Sequence, residues 1–223
     1  MAISLTAWLG LALAIQPGGT PLCVVGSTGS HFPGALSNWI LMIVAMMPPL
    51  VVLSVRHVGF RSFRDRRHFA IAEFLAGYLA IWIAAGFLLS LVLIGLDMVW
   101  RGTDGILAGL AYLAAVGWQL TPFKRRALWR CHRTVPLAVE RRRADLACVW
   151  FGTQMGADCL TSCWLLMALL ALRPHSLLAM ACLQAAMVHE RYQQSRRPRP
   201  AVSIALLCGA FLLTLLEMRV GGP

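Results

Sequence analysis

The sequence predicts an all-α fold, a polytopic transmembrane helix bundle of about six or seven spans forming one integral membrane domain over residues 1–223. Three observations carry that expectation. Hydrophobic residues make up 59% of the 223-residue chain and charged ones 13%, against about a quarter in soluble domains. The apolar residues come in long runs rather than at amphipathic spacing. The Lys and Arg residues gather between those runs, 17 of the 20 in three short segments.

The first apolar run, 2–15, is short for a full crossing and lacks the basic n-region of a signal peptide, so it reads as a short or tilted helix. A stretch rich in Gly, Pro and Ser follows from 16 to 34. The second span, 36–55, contains Met46-Met47-Pro48-Pro49, and the two prolines predict a kink or break. Further spans are expected near 69–96, 105–120, 144–172, 176–188 and 201–217. Gly105-x-x-x-Gly109 and Gly152-x-x-x-Gly156 are candidates for close helix contacts. The segments 56–68, 121–143 and 191–199 hold the concentrated positive charge. Positive residues resist translocation, which predicts that these loops are cytoplasmic and that the chain sits in a bacterial inner (cytoplasmic) membrane.

The net charge of +11 does not point to nucleic acid. A nucleic-acid binder needs a basic face on a folded soluble domain, and here the basic residues are divided among inter-helix segments. The expected partners are the lipid bilayer, with its anionic headgroups, and other membrane subunits. Of the seven cysteines, Cys148, Cys159, Cys163, Cys182 and Cys208 lie within apolar runs, Cys131 lies in a basic segment and Cys23 stands apart, which predicts free thiols and no structural disulfide.

The residues with the clearest chemical pattern are in the fifth span. Met155, Cys159, Cys163 and Met167 recur every four residues, which keeps neighbours on one helix face. Thiolate and thioether ligands suit Cu(I), and thiolates also suit zinc. The same stripe suits ordinary apolar packing. Asp158 beside it is an ionisable residue deep in a span, either a cation partner or proton relay, or a hydrogen-bonded structural group. Met42, Met46 and Met47 offer thioethers from the second span or plain core packing. His189 and Glu190 end the sixth span as ligands, a gate or a helix anchor. Cys131-His132 either collects metal or is incidental in a solvated loop. Gln119 with Thr121-Pro122 ends and caps the fourth span. The sequence contains no phosphate-binding Gly-rich loop, H-E-x-x-H, CxxC or nucleophile elbow, so no enzymatic activity is expected.

Taken together, Met42-x-x-Ala45-Met46-Met47-x-Pro49, Gly77-Tyr78-Leu79-Ala80-Ile81-Trp82, Gly117-Trp118-Gln119-Leu120-Thr121-Pro122-Phe123-Lys124, Gly152-x-x-x-Gly156-x-x-Cys159, Cys163-Trp164-x-x-Met167 and Glu190-Arg191 resemble, in order, the predicted metal-binding integral membrane proteins often labelled copper chaperones. The resemblance spans about Trp39 to Arg191. It implies a copper-handling membrane protein that supplies Cu(I) to a metal-dependent membrane enzyme. Cys159 and Cys163 are then ligands, Met155 with Met46 or Met47 completes the site, Cys131 and Glu190 are further metal-binding candidates, and Asp158 and Met167 flank them. The chain departs from the family pattern at Ala127 and Ser162, where relatives usually carry Cys, and at Met155, where they often carry His. Two alternatives stand beside this reading. One is a metal-free accessory subunit without a cofactor, which the missing cysteines favour. The other is a small-solute transporter built around Asp158.

Overall fold

The computed structural model describes Trp8 and residues 32–99, 104–133, 141–172, 177–193 and 200–220. The first expected span, apart from Trp8, lies outside the described residues, as do Cys23 and parts of the second and third basic segments.

Among the described residues the chain is helical throughout, with eight α-helices and one short 3-10 turn. Helix α1 (Phe32–Met46) and helix α2 (Pro48–Arg61) meet at 61°. Pro48 and Pro49 lack the N–H groups that would continue α1, and Pro48 instead opens α2, where a missing donor costs nothing. After the turn Arg64–Arg66 come α3 (Arg67–Val99), α4 (Asp104–Leu120), α5 (Pro122–Cys131), α6 (Arg141–Leu172), α7 (Leu177–Tyr192) and α8 (Pro200–Val220).

The most extensive pairing joins α3 to α6, and glycines make it. A Cβ on Gly77 would overlap the Val149 carbonyl, and one on Gly152 would overlap the Phe74 carbonyl. One on Gly156 would lie 2.9 Å from the Tyr78 oxygen. Gly152 and Gly156 therefore form the close contact their spacing predicts. Gly109 does not, because its Cβ would meet nothing within 4 Å. Helix α1 docks on α3 through Trp39, whose Nε1 donates to the Trp82 carbonyl at 2.9 Å and whose ring occupies the space left by Gly86. Helix α4 reaches α6 through Trp118, which donates to the Thr161 carbonyl at 3.2 Å and meets Trp164 edge-on. Helix α8 packs on α7 and meets α4 at Tyr112 and Phe211.

Two sequence expectations change. The basic segment 121–143 is not simply a loop, since it contains α5. Thr121 caps that helix by accepting from the Lys124 N–H, Pro122 opens it, and Lys124, Ala127 and Cys131 form its buried face. The span count also falls. Among the described residues only Arg64–Val92 is long and apolar enough to cross a bilayer, or two spans if the bent α1–α2 pair counts as one. Crossing takes about 20 apolar residues. Helix α7 has 16 residues, the apolar parts of α4 and α8 are short, and α6 carries Arg141, Arg142, Arg143, Asp145 and Asp158.

Candidate metal centre

Sulfur-bearing side chains from three helices converge where α5 meets α6 and α7. Helix α6 presents Met155, Cys159 and Cys163, one turn apart, toward a small cavity of about 20 Å³. Helix α5 supplies Cys131 and helix α7 supplies Met187, with Tyr78 of α3, Ser162 and Arg191 completing its polar lining. A volume of this size holds one water-sized occupant. The Tyr78 hydroxyl lies 3.3 Å from Cys159 Sγ and 3.3 Å from Met47 Sδ, and its single proton can be given to only one of them. Ser162 Oγ donates to the Cys159 carbonyl at 2.8 Å and lies 3.3 Å from Cys163 Sγ. All six described cysteines are free.

Arg191 sets the electrostatics. It is buried, and its guanidinium reaches three other helices. Nε donates to the Leu50 carbonyl at 3.1 Å, one terminal nitrogen donates to the Cys131 carbonyl, and the other lies 3.2 Å from Ser54 Oγ and 3.9 Å from Met155 Sδ. All these partners are neutral, and Arg191 has no carboxylate partner among the described residues. A buried, unpaired cation beside three thiols favours an anion in that space. Burial pushes the Cys131 thiol up to about 12, with the Arg191 charge pulling the other way. His132 ties α5 to α7, its two ring nitrogens each 2.7 Å from a carbonyl, Leu128 on one side and Arg191 on the other.

The other sequence candidates fall elsewhere. Glu190 is buried but does not line the cavity, because both carboxylate oxygens face the Lys124 ammonium, at 2.9 and 2.8 Å. Lys124 in turn donates to Gln119 Oε1. Thr121 does cap the end of α4, donating from Oγ1 to the Trp118 carbonyl at 2.8 Å, whereas Gln119 turns to this buried ion pair and leaves its Nε2 without a partner among the described residues. Met47 approaches the centre only through Tyr78, while Met46 and Met167 are fully buried away from the cavity lining. The Met46 carbonyl accepts from Gln184. Asp158 points to the outer side of α6 and pairs with Arg130 at 2.9 Å. Sequence reasoning missed Tyr78, Met187, Ser162 and Arg191 as lining residues. Tyr78, a polar group inside an apolar run, was the available signal.

Chemically, the lining is soft. Three thiols and two thioethers surround a space that no imidazole or carboxylate enters, which matches Cu(I) preferences rather than those of harder ions. Among the described residues no group of three or more His, Cys, Asp and Glu is placed so that it could hold a metal ion. The three thiols line a common space with the thioethers of Met155 and Met187 without forming such a group. Residues 36–213 match the family PpoB2, described as copper chaperone, and the chain belongs to that family. No curated protein and no solved structure matches it.

Proposed function

We infer that the protein is a membrane-embedded Cu(I) carrier, which takes the metal between Cys159, Cys163 and Cys131 with Met155 and Met187 as auxiliary donors and passes it to a metal-dependent membrane enzyme. It acts without catalytic turnover. The observation that carries this reading is the buried Arg191 cation, unpaired among the described residues, beside the thiol-lined cavity. Cu(I) held by two thiolates has a net charge of −1, and Arg191 supplies the matching charge. The family supports copper as cargo.

A membrane setting is supported by the outward faces. Only 28% of the most apolar window of Arg64–Val92 is buried, unlike the core helix of a soluble protein. Leu79, Ile83, Phe87, Leu88, Leu91 and Val92 of α3 are exposed, as are Leu110 and Leu113 of α4 and Leu212 and Leu216 of α8. The aromatic residues Phe60, Phe63, Phe69, Phe123, Trp129 and Trp150 are exposed near the arginine-rich ends, the composition of a headgroup interface. Arg56 and Arg67 both lie over the Phe60 ring. Those ends are assigned to the cytoplasmic side.

The metal-free accessory-subunit reading draws on one observation, the lack of a closed ligand cluster among the described residues. Metal analysis of detergent-purified protein after Cu(I) loading decides between the two. About one copper per chain, lost in Cys159→Ser/Cys163→Ser, is expected for soft thiolate coordination. Background copper in both proteins leaves the accessory-subunit reading in place.

A further inference from the structure

A second, larger cavity of about 290 Å³ opens beside the sulfur centre. Arg130, Arg133, Gln154 and Asp158 supply its polar lining, and Phe151 and Ala157 its apolar wall. Met155 lines this vestibule and the sulfur cavity alike. Two guanidiniums face one carboxylate there. Arg130 is paired with Asp158, whereas Arg133 has no carboxylate partner among the described residues. The vestibule therefore carries an excess positive charge with planar donors suited to carboxylates. Its volume is at the lower end for small-molecule sites, and its concave shape encloses a ligand rather than presenting a protein-sized face.

We propose that this vestibule binds a low-molecular-weight anionic thiol carrying Cu(I), which delivers the metal through Met155 to the cysteines. The assignment rests on the copper-carrier reading above. Arg133 and Gln154 hold the carboxylate end of the carrier, and Phe151 contacts its carbon chain. The thioether of Met155 is neutral, so it accepts Cu(I) without losing a proton. Transfer is ligand exchange. A carrier sulfur–copper bond breaks as the Met155 sulfur–copper bond forms, and Cys159 and Cys163 then replace the remaining donors. Each protein thiol that enters gives up its proton, each carrier thiolate that leaves takes one up, and copper stays Cu(I) throughout. No oxidant or reductant is needed.

The test follows the loading rate of the detergent-purified full chain from two sources, a Cu(I)–glutathione complex and acetonitrile-stabilised Cu(I), which has no carboxylate. The variant is Arg133→Glu, an exposed position that leaves the Arg130–Asp158 pair intact. Loading from the glutathione complex is expected to slow about tenfold in the variant, the loss of one charge-assisted hydrogen bond. Loading from acetonitrile is expected to be unchanged. S-methylglutathione, which keeps the carboxylates but has no free thiol, is expected to slow wild-type loading from the glutathione complex. Equal rates for both proteins from that complex, or no effect of S-methylglutathione, overturn the vestibule assignment and leave the sulfur centre standing. No loading from either source overturns the copper reading and this inference with it.

Discussion

Two buried regions lie side by side where α5 meets α6 and α7, and they are built on opposite principles. In one, the Lys124 ammonium donates to Glu190 and Gln119 and faces both carboxylate oxygens, while Gln119 Nε2 is left without a partner among the described residues. In the other, three thiols and two thioethers face a small space with only weak sulfur contacts among themselves and Tyr78, under a cation whose partners are all neutral. A charge-paired polar group fixes helices in place, whereas a soft-lined space under an unpaired cation has capacity left for a ligand. Glu190 looks like a metal-binding residue in sequence and belongs to the first region. Cys131, a metal-binding candidate by the same resemblance, belongs to the second.

The contrast predicts different costs for breaking each region. Lys124→Met leaves the Glu190 carboxylate buried without its partner and should destabilise the fold by about 3–5 kcal/mol, read from denaturant unfolding in detergent. The pair variant Lys124→Met/Glu190→Met should recover most of that loss, because well-packed apolar residues replace a buried ion pair at little cost. A pair variant as unstable as the single one would mean that the ion pair does more than hold α5 to α7. Gly152→Val tests the frame both regions share. Its side chain would be forced against the Phe74 carbonyl, costing about 1–3 kcal/mol by overpacking, and Gly109→Val, facing open space, should cost much less.

The sulfur region should behave the other way. Cys159→Ser/Cys163→Ser should abolish copper loading while changing unfolding free energy by only about 1–2 kcal/mol, since no closed network is broken. A large stability loss would show these thiols to be packing residues first.

The last expected effect is a pH dependence at Cys131. With its thiol raised to about 12, Cys131 stays protonated at neutral pH in the metal-free protein and should react with iodoacetamide far more slowly than free cysteine. Its folded pKa lies above the unfolded value near 9. The associated stability is therefore fully present below pH 9 and is lost as pH climbs from 9 toward 12. Fast alkylation at pH 7 would contradict the buried placement under Arg191.

Much of this was legible in the sequence for local reasons. The kink followed from Pro48 and Pro49, a close helix contact (though not its partner α3) from Gly152 and Gly156, and the face shared by Met155, Cys159 and Cys163 from helical spacing. What was not legible depends on contacts between distant segments. The approach of Cys131 and Met187 to α6 is such a contact, as is the pairing of Glu190 with Lys124 and of Asp158 with Arg130. The phase change at the proline break decides that Met47 rather than Met46 lies near Tyr78. Arg191 was read as part of a solvated basic loop because its neighbours are charged, yet it is the last buried residue of α7. Helix α5 carried its own start signal in Thr121-Pro122 and a buried spacing at Lys124, Ala127 and Cys131, but its charge concealed it among loop residues.

X-ray absorption at the copper edge of the loaded protein tests the proposed sulfur-only Cu(I) centre most directly. Reduced copper with a first shell of sulfur alone is expected, losing sulfur in Cys159→Ser/Cys163→Ser. A first shell with nitrogen or oxygen scatterers, unchanged in that variant, would contradict it.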